Sequence, residues 1–558
     1  MPESALTPNV ARQAQAESAR PLLSVVVPVY NQHGIAENLR VIRERVEQGL
    51  GAPVELILVS DGSEETDSVL PEDPGLARVI QYDRNLGKGY AVKAGALAAQ
   101  GEWISFVDAD LDLDPAALPG YLDVARREGL DVVIGSKRHP DSRVDYPRTR
   151  RWGSWLFQKL VRVLFRLDVR DTQVGLKLFT RELSDEVIPL LLVKQYAFDL
   201  EFLAVARALG FDRIREMPVT LLYRSTGSGV RPVAVLLALL DTLAIFYRLR
   251  VLRYYQRKKE LLTAYGRGGD HRPPLALVTP QPELVAQRFD YPGLELVRGD
   301  SGAVESRLRA GQDSSHDIVA FLVPGAVPAG NWLDSTIPFL ANPEIAAVVT
   351  PTMTPGRGSV RERAAAALAE SRLGGGSHYF RFTPGNLRFV RQFPAGNVVI
   401  RREDLLAVAP EDVHPDRLCA ALNERGRKVL YTPETVVVSP RPPLFKPHLD
   451  RVRRAGHVRG QAIRREGLRG VTAASVPPVA FLAFLVGAWP LALLGGWPFF
   501  IWSALLLAYA AVTLVSAGLA ALHFRSLQVG ALTAIGSVAV HVTYAIGLLR
   551  GLLERRAS

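Results

Sequence analysis

The chain predicts an α/β fold class. A mostly parallel sheet domain comes first, a second α/β domain follows, and the end is helical and apolar. Three observations predict this. From Leu22 onward, β-branched apolar runs alternate with helix-spaced runs, the pattern of a parallel sheet covered by helices. The alternation stops at a polar linker and resumes after Pro274. Beyond Val476 the chain becomes a series of apolar stretches, each long enough to cross a bilayer.

Composition bounds the function classes. The chain has 558 residues, enough for two or three domains, and its 48% hydrophobic content provides a sizeable core. A formal net charge of +11 suits nucleic acid, anionic lipid or phosphorylated substrates. We read no stripe of Arg or Lys interleaved with aromatics in the soluble part, so nucleic acid ranks low as a partner. The single cysteine, Cys419, excludes an intrachain disulfide and fits a reducing compartment. Residues 1–20 are polar and Ala-rich without an apolar core. They are not a signal peptide and are expected to be disordered.

The elements follow in order. Leu22–Asn31 is a β-branched strand ending in Pro28, Tyr30 and Asn31, and Ile35–Leu50 has helical spacing. Val54–Ser63 is a second buried strand ending in Asp61, Gly62 and Ser63. A strand, a Gly-rich turn holding Gly87, Lys88 and Gly89, and a helix come next. There, backbone N–H groups and Lys88 can meet a phosphate. Asp61 is placed to accept from a nucleobase; its alternative part is to cap a turn. Trp103–Val107 is a short buried strand that runs into Asp108, Asp110 and Asp112 on alternate positions, and Pro115 stops it. In an open α/β sheet, ligands bind at the carboxyl ends of strands. A hard divalent cation there takes oxygen ligands and keeps phosphate oxygens in its shell. The stretch reads as a metal site for a nucleotide diphosphate, with a solvated acidic turn as the alternative. Three strand ends with nucleotide-compatible groups favour the former.

These residues resemble family-2 glycosyltransferases of the GT-A fold, a Rossmann-like, mostly parallel sheet. The segments VVVPVYN, VSDGS, NLGKGYAVKAG and VDADLDLDP carry the resemblance. Downstream, IGSKRHPDSR, RDTQVGLKLFTRE and YAFDLEFLAVARALGF are similar to the polyprenol-phosphate branch, which holds dolichyl-phosphate mannose synthases and β-glucosyltransferases. The similarity covers roughly Leu22–Lys258. Ser60 departs from it, because the family usually has an Asp there.

The resemblance implies an inverting hexosyltransferase using Mg²⁺ or Mn²⁺. Asp108, Asp110 and Asp112 would be the metal ligands. Pro28, Tyr30, Asn31, Asp61, Lys88, Asp108 and Asp110 would hold the donor, UDP-glucose or GDP-mannose. Lys137, Arg138, Arg150, Arg151, Ser154 and Gln173 would hold a polyprenyl or dolichyl phosphate. The catalytic set would be Asp110, Asp112 and Lys137. Trp152–Leu167 has the spacing of a helix lying in a membrane interface, with an ordinary core helix as the alternative.

The expected boundaries are a catalytic domain at 21–229, an interfacial helix and linker at 230–273, and a degenerate GT-A-like domain at 274–443. A basic juxtamembrane segment at 444–474 and transmembrane helices at 475–552 complete them. In the second domain, Phe321–Pro328 stands where the acidic strand end would be, without a carboxylate. Its bland reading is a packing or dimerisation module, so a homo-oligomer is left open. Apolar stretches at Val476–Leu494, Trp497–Leu522 and Val529–Leu549 follow a basic run at His448–Gly470. That order places a multi-pass protein in the cell membrane with its soluble domains in the cytoplasm. Two other function classes compete. A processive or cell-wall-glycan synthase lacks support, because no Gln-x-x-Arg-Trp motif is present. A lipid-phosphate-binding scaffold leaves the acidic strand end of the first half unexplained.

Overall fold

The computed structural model describes residues 20–32, 34–63, 75–82, 85–142, 158–193, 197–221, 232–265, 272–286, 291–299, 310–394, 396–409, 417–467 and 495–554, with a few isolated positions between them. It forms two compact units, Met1–Arg267 and Gly268–Ser558.

The first unit runs β1 (Leu23–Val29), α1 (Ile35–Leu50), β2 (Glu55–Asp61), β3 (Arg78–Tyr82), α2 (Lys88–Ala98), β4 (Trp103–Val107), α3 (Leu118–Glu128), β5 (Val132–Ser136), β6 (Leu176–Thr180), α4 (Phe198–Ala208) and β7 (Ile214–Pro218). The sheet order is β3-β2-β1-β4-β6-β5-β7. Only β6 runs antiparallel to its neighbours, β4 and β5. All five residues of β4 are buried, as a strand covered on both faces requires. α1 buries Ile35, Leu39, Ile42 and Val46 on one stripe, and each such side chain contributes roughly 1.5–3 kcal/mol. β1 lies between β2 and β4, so the strand order reverses there. That crevice is where open sheets of this kind bind ligands.

Two further helices close the unit, α5 (Pro232–Phe246) and α6 (Tyr254–Ala264), joined by a π-helical turn at Tyr247–Val251. Leu240, Leu243, Tyr247 and Val251 are exposed along this stretch. α5 has 15 residues, fewer than a span needs. Its Phe246 ring meets Phe165 at 6.3 Å. Phe165 belongs to the helical stretch 158–165, the described part of the helix expected from Trp152.

The second unit repeats this plan. Its strands are β8 (Leu275–Thr279), β9 (Leu294–Arg298), β10 (Ile318–Phe321), β11 (Val327–Pro328), β12 (Ile345–Val349), β13 (Thr352–Met353), β14 (Arg388–Phe389), β15 (Val398–Arg401), β16 (Lys428–Tyr431) and β17 (Val437–Val438). The large sheet reads β9-β8-β10-β15-β12-β16-β14, and β11-β17-β13 form a small one. Six strands match six of the first sheet in chain order, neighbours and direction. β8, β9, β10, β12, β15 and β16 correspond to β1, β2, β4, β5, β6 and β7. In each sheet an antiparallel strand, β6 or β15, is inserted between parallel pairs, and the second sheet also carries β14 antiparallel at its edge.

The unit ends in helices. α7 (Val360–Glu370) and α8 (Lys446–Glu466) pack on α10 (Leu527–Leu553), which also packs on α9 (Gly496–His523). Among the described residues two helices, α9 and α10, are long and apolar enough to cross a membrane. The expected first stretch, 476–494, lies largely outside the described residues. α10 is not a free span. A Cβ at Gly456 or Gly460 of α8 would lie 2.4 or 2.2 Å from the Tyr544 or Leu548 oxygen. At Gly547 or Gly551 of α10 it would lie 2.2 or 2.1 Å from the Arg453 or His457 oxygen. Two small-xxx-small pairs interlock backbone to backbone. His541 Nε2 further bonds the Leu373 oxygen at 2.8 Å.

Candidate active site

The strand ends around β1 carry the expected groups. Asn31 takes a left-handed conformation, φ 47°, and its N–H donates to Ser63 Oγ at 3.2 Å. Ser60, buried at the position of the departure noted above, bonds the same Ser63 hydroxyl at 3.3 Å. The ends of β1 and β2 are thus tied together. Asp61 is buried, and its two oxygens accept the N–H groups of Leu86 at 2.7 Å and Gly87 at 2.9 Å. Burial pushes its pKa up, while those bonds and Tyr82 pull it back. Asp61 therefore holds the turn that launches α2, the second of the two parts the sequence offered it.

That turn presents Lys88. Its Nζ sits 2.5 Å from Asp108 Oδ1, with the two side chains 40% and 33% exposed. Burial draws the Lys88 pKa down, but Asp108, Asp199 and Asp110 outweigh it and the net shift is upward. Asp108 N donates to the Gly175 oxygen at 3.2 Å. A Cβ on Gly175 would stand 1.8 Å from Asp108 Oδ2, so only glycine leaves room for this carboxylate.

Asp110 accepts the Asp112 N–H at 3.1 Å, a tight turn with Leu111 left-handed at φ 56°. Burial raises the Asp112 pKa, Asp110 and Asp108 add to it, and Lys137 opposes. The three acids and Lys137 thus share one field. They do not form a ready cage: among the described residues no three acidic, His or Cys groups gather to hold a metal ion. Like charges repel, so Asp108 turns to Lys88 and Asp110 to a backbone N–H. The donor set still fits a hard divalent ion. The Lys88 ammonium stands in as a cation on Asp108, and such ions commonly use one or two carboxylates and take the rest from phosphate and water.

On the other side of β4, Lys137 and Gln173 are brought together by Asp171, which the sequence reading passed over. Asp171 accepts backbone N–H groups of both residues, and burial raises its pKa. Glu216 on β7 in turn accepts the N–H groups of Arg170 at 2.8 Å and Asp171 at 2.9 Å. The signal was weak: an Asp at the start of a turn often accepts the main-chain N–H two residues on, whatever the residue there. Arg138 bonds Gln158, which bonds the Arg170 oxygen. Beneath them Lys177, fully buried, pairs with Asp199 and donates to the Val174 oxygen at 2.6 Å. Arg150, Arg151 and Ser154 lie outside the described residues, as does the start of the expected interfacial helix. Pro28 is in β1, and Tyr30 follows its end.

The corresponding corner of the second unit is closed by its own side chains. Gly325 N donates to Gln281 Oε1 at 2.9 Å, and Val323 N donates to Asn397 Oδ1 at 3.0 Å. The Pro440 ring lies 3.2 Å from where a Gly325 Cβ would be.

The profile of Glycosyl transferase family 2 matches residues 24–188. Glycosyltransferase AglD of Haloferax volcanii is 34% identical over 38% of this chain and 35% of its own length. The dolichyl-phosphate beta-glucosyltransferase of Dictyostelium discoideum is 31% identical, over 34% of this chain and 62% of its own. The dodecaprenyl-phosphate galacturonate synthase of Rhizobium johnstonii is 28% identical, over 44% of this chain and 72% of its own. The chain thus spans about a third of the first of these relatives and less than two thirds of the second. A solved structure of glucosyl-3-phosphoglycerate synthase from Mycobacterium tuberculosis, in complex with Mn²⁺, UDP and phosphoglyceric acid, is 20% identical. It covers 44% of this chain and 84% of that one at a TM-score of 0.31, too slight a likeness to argue from. The matched segment spans β1 through β6 and holds Asp61, Lys88 and the three acids of the β4 end, so the first unit of this chain carries a family-2 glycosyltransferase domain.

Proposed function

We propose that the protein is a membrane-bound, inverting glycosyltransferase. It moves a hexose, glucose favoured and mannose next, from a nucleotide sugar to a polyprenyl or dolichyl phosphate at the cytoplasmic face. The observation that carries this reading is the Lys88–Asp108 pair at the strand-order reversal, with Asp110, Asp112 and Lys137 in the same field. Similarity to enzymes named for dolichyl- and dodecaprenyl-phosphate supports the acceptor class.

In this reading Asn31 and Tyr30 line the nucleoside side, and Asp61 contributes through the turn it holds. Asp108, Asp110 and Asp112 would hold a Mg²⁺ or Mn²⁺ ion, which neutralises charge on the departing diphosphate. Lys88 faces the same charge from the start of α2. A phosphate oxygen of the acceptor attacks the anomeric carbon as the bond to the nucleoside diphosphate breaks on the opposite side. The attacking group is already anionic at neutral pH, so the chain supplies no strong base. It supplies cations instead: Lys137 and Arg138, with Arg150 and Arg151 beyond them. Gln173 and Ser154 complete the acceptor set. The apolar α5 stretch and the helices α9 and α10 suit a membrane-borne acceptor.

Membranes holding the full chain, given labelled UDP-glucose or GDP-mannose with a short polyprenyl phosphate, should yield a labelled lipid from one donor. If labelled sugar appears only in polymer or protein, the acceptor assignment fails.

A further inference from the structure

The transfer reading makes no use of the arginines in the second unit. Between Glu370 and Glu403 no acidic residue occurs, while Arg372, Arg381, Arg388, Arg391, Arg401 and Arg402 do. Five aromatic residues alternate with them: Tyr379, Phe380, Phe382, Phe389 and Phe393. This is the interleaved stripe that the sequence reading missed. It lies on the connection from β12 to β15, the counterpart of the β5–β6 connection that carries Lys137 and Arg138.

Arg381 and Arg459, the latter on α8, meet at one residue. Arg381 Nη2 donates to the Gln392 oxygen at 2.9 Å, and Arg459 Nη2 donates to Gln392 Oε1 at 3.1 Å. One guanidinium takes the main-chain carbonyl of Gln392 and the other its side-chain carbonyl, so two like charges converge on one uncharged residue, and an anion between them offsets their repulsion. Arg381 lies 5.8 Å over the Phe393 ring and Arg388 lies 4.5 Å over Phe380. Ring stacking fixes the guanidinium plane and with it the direction of the in-plane N–H groups, the geometry that suits phosphate oxygens. His378 is in the field of the same pair. Burial, then Arg381 and Arg459, push its imidazole down to about 4, so at neutral pH it adds a hydrogen-bonding group without a third charge.

The position says what kind of anion. Gly460, next to Arg459, packs on Leu548 and Leu552 near the end of α10. Arg459 therefore stands beside the end of a helix long enough to span, where hydrocarbon gives way to headgroups, and Gln392 links Arg381 to it. A free phosphate would have no use for that neighbour.

We propose that His378, Arg381, Gln392 and Arg459 form a second anion site that binds the phosphate-monoester headgroup of a membrane lipid. The site is independent of the transfer reaction.

The test uses the full chain in phosphatidylcholine nanodiscs, with dioleoyl phosphatidic acid as the probe and native mass spectrometry as the readout. Arg381→Gln with Arg459→Gln should lower phosphatidic acid retention about tenfold, the loss of a charge-assisted bidentate contact. If the double variant misfolds by near-UV circular dichroism, Arg459→Gln alone carries the test, because it removes one half-buried group. Arg126→Gln with Arg127→Gln removes equal charge from the exposed end of α3 and should leave retention unchanged. Asp110→Asn should also retain the lipid, which separates this site from the transfer reading. Wild-type retention in the Arg381/Arg459 variant, loss in Asp110→Asn, or full displacement by inorganic phosphate would each overturn the proposal.

Discussion

Replacing Gly175 with Ala tests the site from the backbone. The new Cβ would stand 1.8 Å from Asp108 Oδ2 and 2.3 Å from its Cγ. No rotation of a methyl group relieves such a contact, so one partner must move. If the loop retreats, it gives up the Asp108 N to Gly175 O hydrogen bond, worth about 1 kcal/mol. If Asp108 swings away, its contact with Lys88 is lost. Because both side chains are a third or more exposed, that ion pair adds only about 0–1 kcal/mol of stability. The stability cost is therefore modest, about 1–3 kcal/mol as in other overpacked sites. The chemical cost is larger: a misplaced Asp108 should slow transfer about a hundredfold or more, roughly 2.7 kcal/mol of barrier. The assay is labelled-sugar transfer into extracted lipid, with thermal unfolding alongside. Gly120→Ala, in open space on α3, should transfer normally. In an Asp108→Ala background the clash disappears, so adding Gly175→Ala should change little. A Gly175→Ala protein with wild-type turnover, or one equally harmful without the Asp108 carboxylate, would refute this account.

Three further predictions concern the acids and one buried histidine. Asp110→Asn should cut transfer about a hundredfold with the fold intact, and excess EDTA should do the same. Full-length Asp108→Asn/Asp110→Asn should then show no EDTA-sensitive UDP-glucose binding in calorimetry, because Gln281, Asn397 and Pro440 close the matching corner of the second unit; micromolar binding there would mean a second active site. His448, 8% exposed, is pushed from 6.5 to about 4, first by burial and then by Arg441 and Arg451. Its folded pKa is lowered, so its stabilising effect is complete above about 6.5 and is lost as pH falls toward 4, about 3 kcal/mol in all. His448→Gln should shrink the drop in unfolding temperature between pH 7 and 5; an unchanged drop would place the acid sensitivity elsewhere.

The sheet was legible because its strands are short β-branched runs between Gly, Pro and Asp. Trp103–Val107 was bounded to the residue by the acids that follow it. The repeat of the strand plan was legible from the position of Phe321–Pro328, although strand direction was not. Other features depend on contacts between residues far apart in sequence, which no local pattern reports. Asp61 faces Leu86 and Gly87 across a turn, Glu216 reaches Arg170 from β7, and Lys88 meets Asp108 only when α2 packs on β1 and β2. The Arg–aromatic stripe was present in the sequence but irregularly spaced, so it gave no helix or strand period to mark it. The depth of α10 was not legible. Its composition reads as a free span, but Gly456, Gly460, Gly547 and Gly551 turn one face into a helix–helix seam.

The inserted antiparallel strand has a kinetic consequence. In each sheet the strand that joins the two parallel halves, β6 or β15, arrives after an excursion of roughly forty to fifty residues, and closing such a loop is entropically slow. Until it arrives, β4 and β5, or β10 and β12, present open edges that invite wrong pairing. The excursions are also the segments that carry Lys137 in one unit and Arg381 in the other. In both halves of the chain, the cationic segment is threaded by the strand insertion that joins the two parts of the sheet, so a molecule caught before that step would have neither its cationic segment in place nor a continuous sheet.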